Sequence, residues 1–249
     1  LNYASGELGL EALEPAAPAA LLVGITNRCK LRCDFCFHAD NDVPKASRRP
    51  KGQMPIERFE AIVARTPEAE EADTVVMSGV MRYAPNVEAA LWFAREVWPQ
   101  VRAKRPQARF FLVGRDPAAA VQALNGQDGI TVTGTVEDPA DWIAKAAVCV
   151  APIRAAAGLQ NKLLEAMAMA KAVVATPVAN EGIRAPEAEA VLLAQEPAPF
   201  AAAVETLLAD AALRQRMGNA ARGFVEAKWT WEGPFLELEQ AFLAAVPRA

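Results

Sequence analysis

Histidine occurs once in this chain of 249 residues, at position 38, and is read as no part of a histidine-based catalytic triad. An excess of basic charge is also missing. Lys and Arg total 26 against 30 Asp and Glu, a net charge of −4, and nothing suggests the clustered positive surface that nucleic acid requires. No apolar run approaches the roughly 20 residues that span a bilayer. No basic, apolar, cleavable leader opens the chain, and no repeat of fixed period runs through it. Cysteine is sparse at four, too few for a secreted disulfide framework in a chain of this size. Three of the four fall within residues 29–36, a clustering that favours metal or redox chemistry in a reducing compartment. The expectation is a cytoplasmic protein.

What is present is apolar. A hydrophobic content of 53% is ample for one large core or two small ones. Residues 1–20 are rich in Ala, Pro and Glu and read as a tail or linker. The chain begins with Leu rather than Met, which suits a piece of a longer protein. Leu21–Thr26 reads as a short buried strand, and Asp40–Gly52, with two prolines and four basic residues, as an exposed loop. Pro55 suits the first position of a helix over Ile56–Arg65. From Thr74–Ser78 onward strand and helix signals alternate. Strands are predicted at Arg109–Val113, Ile130–Thr133, Val148–Ala151, Ala172–Thr176 and Ala190–Ala194. Helices are predicted at Val87–Lys104, Pro117–Leu124, Pro139–Ala146 and Leu159–Ala170, then at Ala198–Ala209, Ala211–Ala227 and Trp231–Ala245. Such alternation predicts an α/β fold, a doubly wound parallel sheet with helices on both faces, and a βαβ extension in front of it.

The front segment carries Cys29-Lys-Leu-Arg-Cys33-Asp-Phe-Cys36, directly after a predicted strand. Three thiolates on one tight loop can hold three irons of a four-iron cluster and leave the fourth open to a small ligand. Two other readings of the same residues stay open. His38 could complete a Cys3His zinc site, or the thiols could carry no metal. Cys149, in an apolar strand, reads as a small buried hydrophobe. The spacing, with Phe35 just before the third cysteine, resembles the N-terminal unit of radical S-adenosylmethionine enzymes over about residues 20–78. That resemblance implies a 4Fe-4S cluster on Cys29, Cys33 and Cys36, with Phe35 near the adenine of S-adenosylmethionine. The family's Gly-Gly-Glu turn is replaced here by Ser78-Gly79-Val80-Met81.

The later segment offers a different chemistry. Gly158–Lys162 lies where a strand hands over to a helix. Backbone N–H groups and the positive end of a helix dipole at such a turn can face a diphosphate, and Lys162 can add a cation. Gly79 and Gly114-Arg115 supply turns where backbone approaches a ligand closely. The stretches SGVMRYAPNVEAALWFAREVWP, FFLVGRDP, ITVTGTVEDPADWIAKAAVCVAPI and GLQNKLLEAMAMAKAVVATPVANEGI, with a final WTWE, occur in this order. Together they resemble the C-terminal, donor-binding domain of family 4 glycosyltransferases of GT-B architecture, over about residues 75–249.

The resemblance implies a nucleotide-sugar donor and retention of anomeric configuration. It places Gly79, Arg82, Gly114, Arg115, Gly158, Asn161 and Lys162 around the donor, Thr133 and Val136 at its base, and Glu165 on its ribose. The first glutamate of the family's paired motif is Ala157 here, and Val80 and Pro85 stand where many relatives have Arg and Lys. Arg82 or Lys162 is the candidate to replace that charge. The plain readings also stand: Lys162 as a surface lysine, Glu165 as a solvated helix residue, and Trp229 and Trp231 as packing anchors.

The two resemblances meet at TVVMSGV, whose apolar strand fits both. The resulting expectation is a chimera of three parts: a tail at 1–20, an iron–sulfur segment at 21–74 and a nucleotide-sugar-binding domain at 75–249. Too few residues precede the last part to form an acceptor domain of equal size. Donor binding is therefore expected without assured transfer, since transfer needs both substrates held in one closed site.

Overall fold

The computed structural model describes residues 70–155 and 159–229, and all but the last of these belong to one compact unit, Ile56–Lys228. The cysteine loop, Phe35, the predicted strand Leu21–Thr26 and the predicted helices Ile56–Arg65 and Trp231–Ala245 lie outside the described residues, as does Gly158.

Six parallel strands form the sheet: β1 Thr74–Ser78, β2 Arg109–Val113, β3 Ile130–Gly134, β4 Val148–Ala151, β5 Ala172–Ala175 and β6 Leu192–Leu193. Their order across the sheet is β3-β2-β1-β4-β5-β6. Pairing registers Thr74 with Arg109, Val76 with Cys149, Phe110 with Ile130 and Val148 with Ala172. Strands β1, β4 and β5 are buried along their whole length. That explains why they read as unbroken apolar runs and not as alternating ones. In this order the chain leaves β1 toward one edge and returns to β4 on its other side. The sheet therefore has a switch point between β1 and β4, where the loops beyond the strand ends part into a crevice.

The crossover from β1 departs from the expected single helix. Helix α1 begins at Ala84, with Pro85 in its first turn, and runs to Trp92. A π-helical segment Phe93–Val97 follows, then α2 Trp98–Lys104. Pro99 explains the widening, since it has no N–H to give the Arg95 carbonyl one turn back. The Trp98 N–H reaches instead to the carbonyl of Phe93. The extra residue turns Phe93 and Trp98 onto the sheet. Phe93 lies 4.6 Å from Phe110 and Trp98 5.4 Å from it, ring centre to ring centre. Phe200 joins from the C-terminal side, 5.7 Å from Phe93 and nearly perpendicular. Trp98 satisfies its indole N–H on the Asp128 carbonyl at 2.8 Å.

Further helices complete the layers: α3 Ala119–Gln122, α4 Pro139–Lys145, α5 Asn161–Ala168, α6 Pro177–Asn180, α7 Pro197–Ala209 and α8 Ala211–Lys228. Helix α3 is half the length its apolar pattern suggested, and α6 was not anticipated. Asp138 caps α4 by accepting from the Ala140 N–H at 2.9 Å, and Thr176 caps α6 through the Ala179 N–H at 3.2 Å. Beneath the amino ends of β4 and β5 two buried basic side chains share one partly exposed carboxylate. Lys171 is 2% exposed and stands 3.7 Å from Glu70. Arg214 of α8 meets the same carboxylate at 3.0 Å and donates to the Leu207 carbonyl at 2.7 Å. Among the described residues no helix is long and apolar enough to cross a membrane.

Candidate functional site

The site is built from the carboxyl ends of the strands. After β1 the chain turns at Gly79, and after β2 at Gly114. Both have positive φ, +152° and +149°, which side chains other than hydrogen rarely adopt. The two turns are in direct contact: a Cβ on Gly114 would lie 1.7 Å from the Gly79 carbonyl oxygen. The loops are then laced together by backbone. The Gly79 N–H donates to Val113 and the Met81 N–H to Arg115, each at 2.9 Å, and the Ala118 N–H to Met81 at 3.1 Å.

From the other side of the switch point comes Lys162, in the first turn of α5. Its side chain spans the gap and donates through Nζ to Asn86 Oδ1 at 2.9 Å and to Gln160 Oε1 at 3.1 Å. Asn86, on α1, turns its own Nδ2 to the Val80 carbonyl at 2.9 Å. Gly79 leaves room for both, since a Cβ there would lie 2.8 Å from Asn86 Nδ2 and 3.3 Å from Lys162 Cε. Burial pushes the Lys162 ammonium down to about 8, while the carboxylate of Glu165 on the same helix favours its charge.

Of the residues singled out in the sequence, Gly79, Gly114 and Lys162 converge at the switch point. Arg115 extends the Gly114 turn, with its side chain exposed. Arg82 is exposed and sits 3.6 Å from Asp116 at the rim, an ion pair in high dielectric that contributes little. Asn161 opens α5, and Glu165 is half-buried one turn on. Thr133 is the last residue but one of the edge strand β3, its hydroxyl 3.0 Å from the Gly134 carbonyl, and Val136 is half-buried just beyond. Cys29, Cys33, Cys36 and Phe35 lie outside the described residues; within those described, no group of three His, Cys, Asp or Glu could hold a metal.

Sequence reasoning missed two members, Asn86 and Gln160. Asn86 is only 4% exposed, and the signal for it was an amide set in an otherwise apolar helix start. Gln160 carries no sequence signal beyond its place in the turn before α5. Arg154, in the turn after β4, lies over the Trp92 ring at 5.6 Å. Cys149 is the expected buried hydrophobe. Burial pushes its thiol up to about 12, with the Lys171 ammonium pulling the other way. A separate concavity of about 440 Å³, lined by Thr74, Arg109, Phe111, Trp142 and Lys145 among others, opens at the opposite, amino end of β1 and β2.

A parallel sheet in this order, with glycine turns and a lysine at its switch point, defines a Rossmann-like α/β domain of GT-B type. The chain belongs to the glycosyl transferases group 1 family, whose model matches residues 72–210, more than half of it. No curated protein matches the chain. Among solved structures it is similar to sucrose-phosphate synthase from Thermosynechococcus elongatus, with 25% identity, a TM-score of 0.54, and coverage of 76% of this chain and 49% of that one. It is also similar to the C-terminal domain of the group 1 glycosyl transferase LpcC from Francisella tularensis, with 16% identity, a TM-score of 0.52 and coverage of 66% and 88%. HepE of Anabaena, solved with UDP and glucose, matches at 16% identity and a TM-score of 0.52, with coverage of 77% and 51%. The chain thus spans about half the length of the synthase and of HepE and most of the single C-terminal domain.

Proposed function

We propose that this domain binds a nucleotide-sugar donor at the switch-point crevice, as the donor half of a glycosyltransferase. The observation that carries the reading is the lysine bridge. Lys162 places a cation against the Gly79 turn, beside the N-terminus of α5, where a diphosphate would be held by charge and backbone N–H groups together. Lys162 thereby takes over the charge that many relatives place after the first strand, where this chain has Val80 and Pro85. Glu165, one turn into α5, is assigned to the ribose hydroxyls, and Thr133 and Val136 to the base. Arg82 and Arg115 are assigned to the outer rim of the donor, and Gly158 and Asn161 to its diphosphate. HepE, which shares the fold, was solved with UDP and glucose, and uridine diphosphate is the first donor nucleotide to test. Retention of anomeric configuration and a cytoplasmic site of action belong to this reading. Transfer requires an acceptor held opposite the donor, so donor binding is the activity proposed for these residues.

Calorimetric titration and thermal melting with UDP-, GDP- and ADP-linked sugars test it. A ligand at a hundred times its Kd stabilises the fold by about 2.7 kcal/mol. No heat and no rise in Tm with any of the three at millimolar concentration would sink the proposal.

A second reading concerns the front segment, and the spacing of Cys29, Cys33 and Cys36 favours it. These thiolates would ligate a 4Fe-4S cluster with an open iron for S-adenosylmethionine, near Phe35, as the legacy of a chimeric origin. Anaerobic reconstitution followed by iron and sulfide assay and EPR checks it. An unaltered spectrum on adding S-adenosylmethionine, or the same iron content after all three cysteines become Ala, would reject it.

A further inference from the structure

We infer that Asn86 is a positioning residue of the donor site. Its neutral side-chain amide holds the Lys162 ammonium across the switch point so that the positive charge is kept for the donor's diphosphate. The inference rests on the donor-binding reading above and goes beyond it by naming what sets the geometry and charge of the lysine.

A buried amide must find partners on both of its ends. Asn86 finds them on two different segments: Nδ2 on the Val80 carbonyl after β1, and Oδ1 on Lys162 Nζ from α5. One side chain on α1 therefore ties the β1 turn to the β4 side of the sheet. The chemistry of the holder matters. An ammonium has three donors, and the Asn86 and Gln160 amide oxygens accept two of them. Both acceptors are uncharged, so neither cancels the charge it positions. A carboxylate in the place of Asn86 would form an ion pair with Lys162, hold the ammonium more firmly and meet an incoming diphosphate with repulsion. The carboxylate that does act on Lys162, Glu165, comes from its own helix and not from the β1 side. Gly79 is part of the same device, because any side chain there would displace the Asn86 amide.

The test uses the full chain, with Asn86→Asp and Asn86→Ala beside wild type, and has two readouts. Competitive amine labelling from neutral to alkaline pH, resolved by peptide mass, reports the ionisation of Lys162 without any ligand. Calorimetry with UDP reports affinity, and Tm monitors the fold. Asn86→Asp is nearly isosteric and keeps the variant pair informative if Asn86→Ala fails to fold. The expected result is a Lys162 titration moved upward in Asn86→Asp, with UDP affinity down by about tenfold or more in both variants and out of proportion to any change in Tm. Labelling of Lys162 unchanged in both variants would overturn the assignment of Asn86. A moved titration with unchanged UDP affinity would leave the pair a purely structural tie and overturn it equally. If wild type shows the pairing by labelling but binds no UDP, GDP or ADP, the donor reading falls and takes the diphosphate role of the pair with it.

Discussion

Lys162 is the residue on which most of the chemistry turns. Its ordinary surface reading fails on contact, because the side chain is half-buried and spent on two amides. With its ionisation lowered to about 8, the ammonium is present at neutral pH and is lost as the pH rises through 8. Donor affinity is therefore expected to fall above pH 8, at most about tenfold per unit; a flat profile in calorimetry would remove Lys162 from the site. The sign for stability is opposite. Between about 8 and the ordinary lysine value the unfolded chain holds the proton that the folded chain has released, so this group adds stability as pH rises through that window. Lys162→Ala should weaken UDP binding by about tenfold to a hundredfold, the worth of one charge-assisted contact. Cys149 shows the reverse case, a group whose burial silences it. With its thiol near 12, iodoacetamide should label Cys149 only after denaturation; rapid labelling of the native chain at pH 8, read by peptide mass, would contradict its burial.

At the scale of elements, the turns after β1 and β2 behave as one piece, because Gly114 packs on the Gly79 carbonyl. Gly114→Ala forces these turns apart and imposes a strained φ. A loss of about 1–3 kcal/mol in chemical denaturation is expected, with UDP binding lost as well; a variant of wild-type stability and affinity would show that the turns are independent. The ionic cluster under β4 and β5 is the other test of an element's role. Removing Glu70 leaves Lys171 buried without that carboxylate, and a loss of about 1–3 kcal/mol is expected for Glu70→Ala after allowing for its partial exposure. Lys171→Met, which removes the buried charge itself, should be close to neutral. Denaturation midpoints of the two variants decide whether the cluster stabilises the fold or merely accommodates a buried amine. Strand positions were legible in the sequence because fully buried parallel strands are short, unbroken apolar runs such as Val75–Met77 and Val148–Val150. The helix after β1 was legible as apolar but not as divided. Its break comes from one missing N–H at Pro99, a local defect that periodicity averages away. Helix α6 has too few residues to show a period at all.

Over the described residues, the alternation of strand and helix, the approximate place of each strand and the α/β class followed from the sequence by itself. They depend only on burial and backbone hydrogen bonding within each segment, and each apolar run carries that information locally. The family resemblance followed as well, since short motifs in order survive without any knowledge of distance. Three of the ten proposed donor residues, Gly79, Gly114 and Lys162, meet at the switch point; each has a local signature, a glycine turn or a lysine at a helix start. The partners of Lys162 were not found. Asn86 lies 76 positions away from Lys162 along the chain, and nothing in its neighbours marks it as more than a polar residue at a helix start. Only the strand order β3-β2-β1-β4-β5-β6 brings the β1 turn beside the helix that follows β4. That order is a long-range property, settled when the crossovers pack their apolar faces on opposite sides of one sheet. Local pattern thus determined what each segment is, and the packing of the segments decided which charge meets which amide.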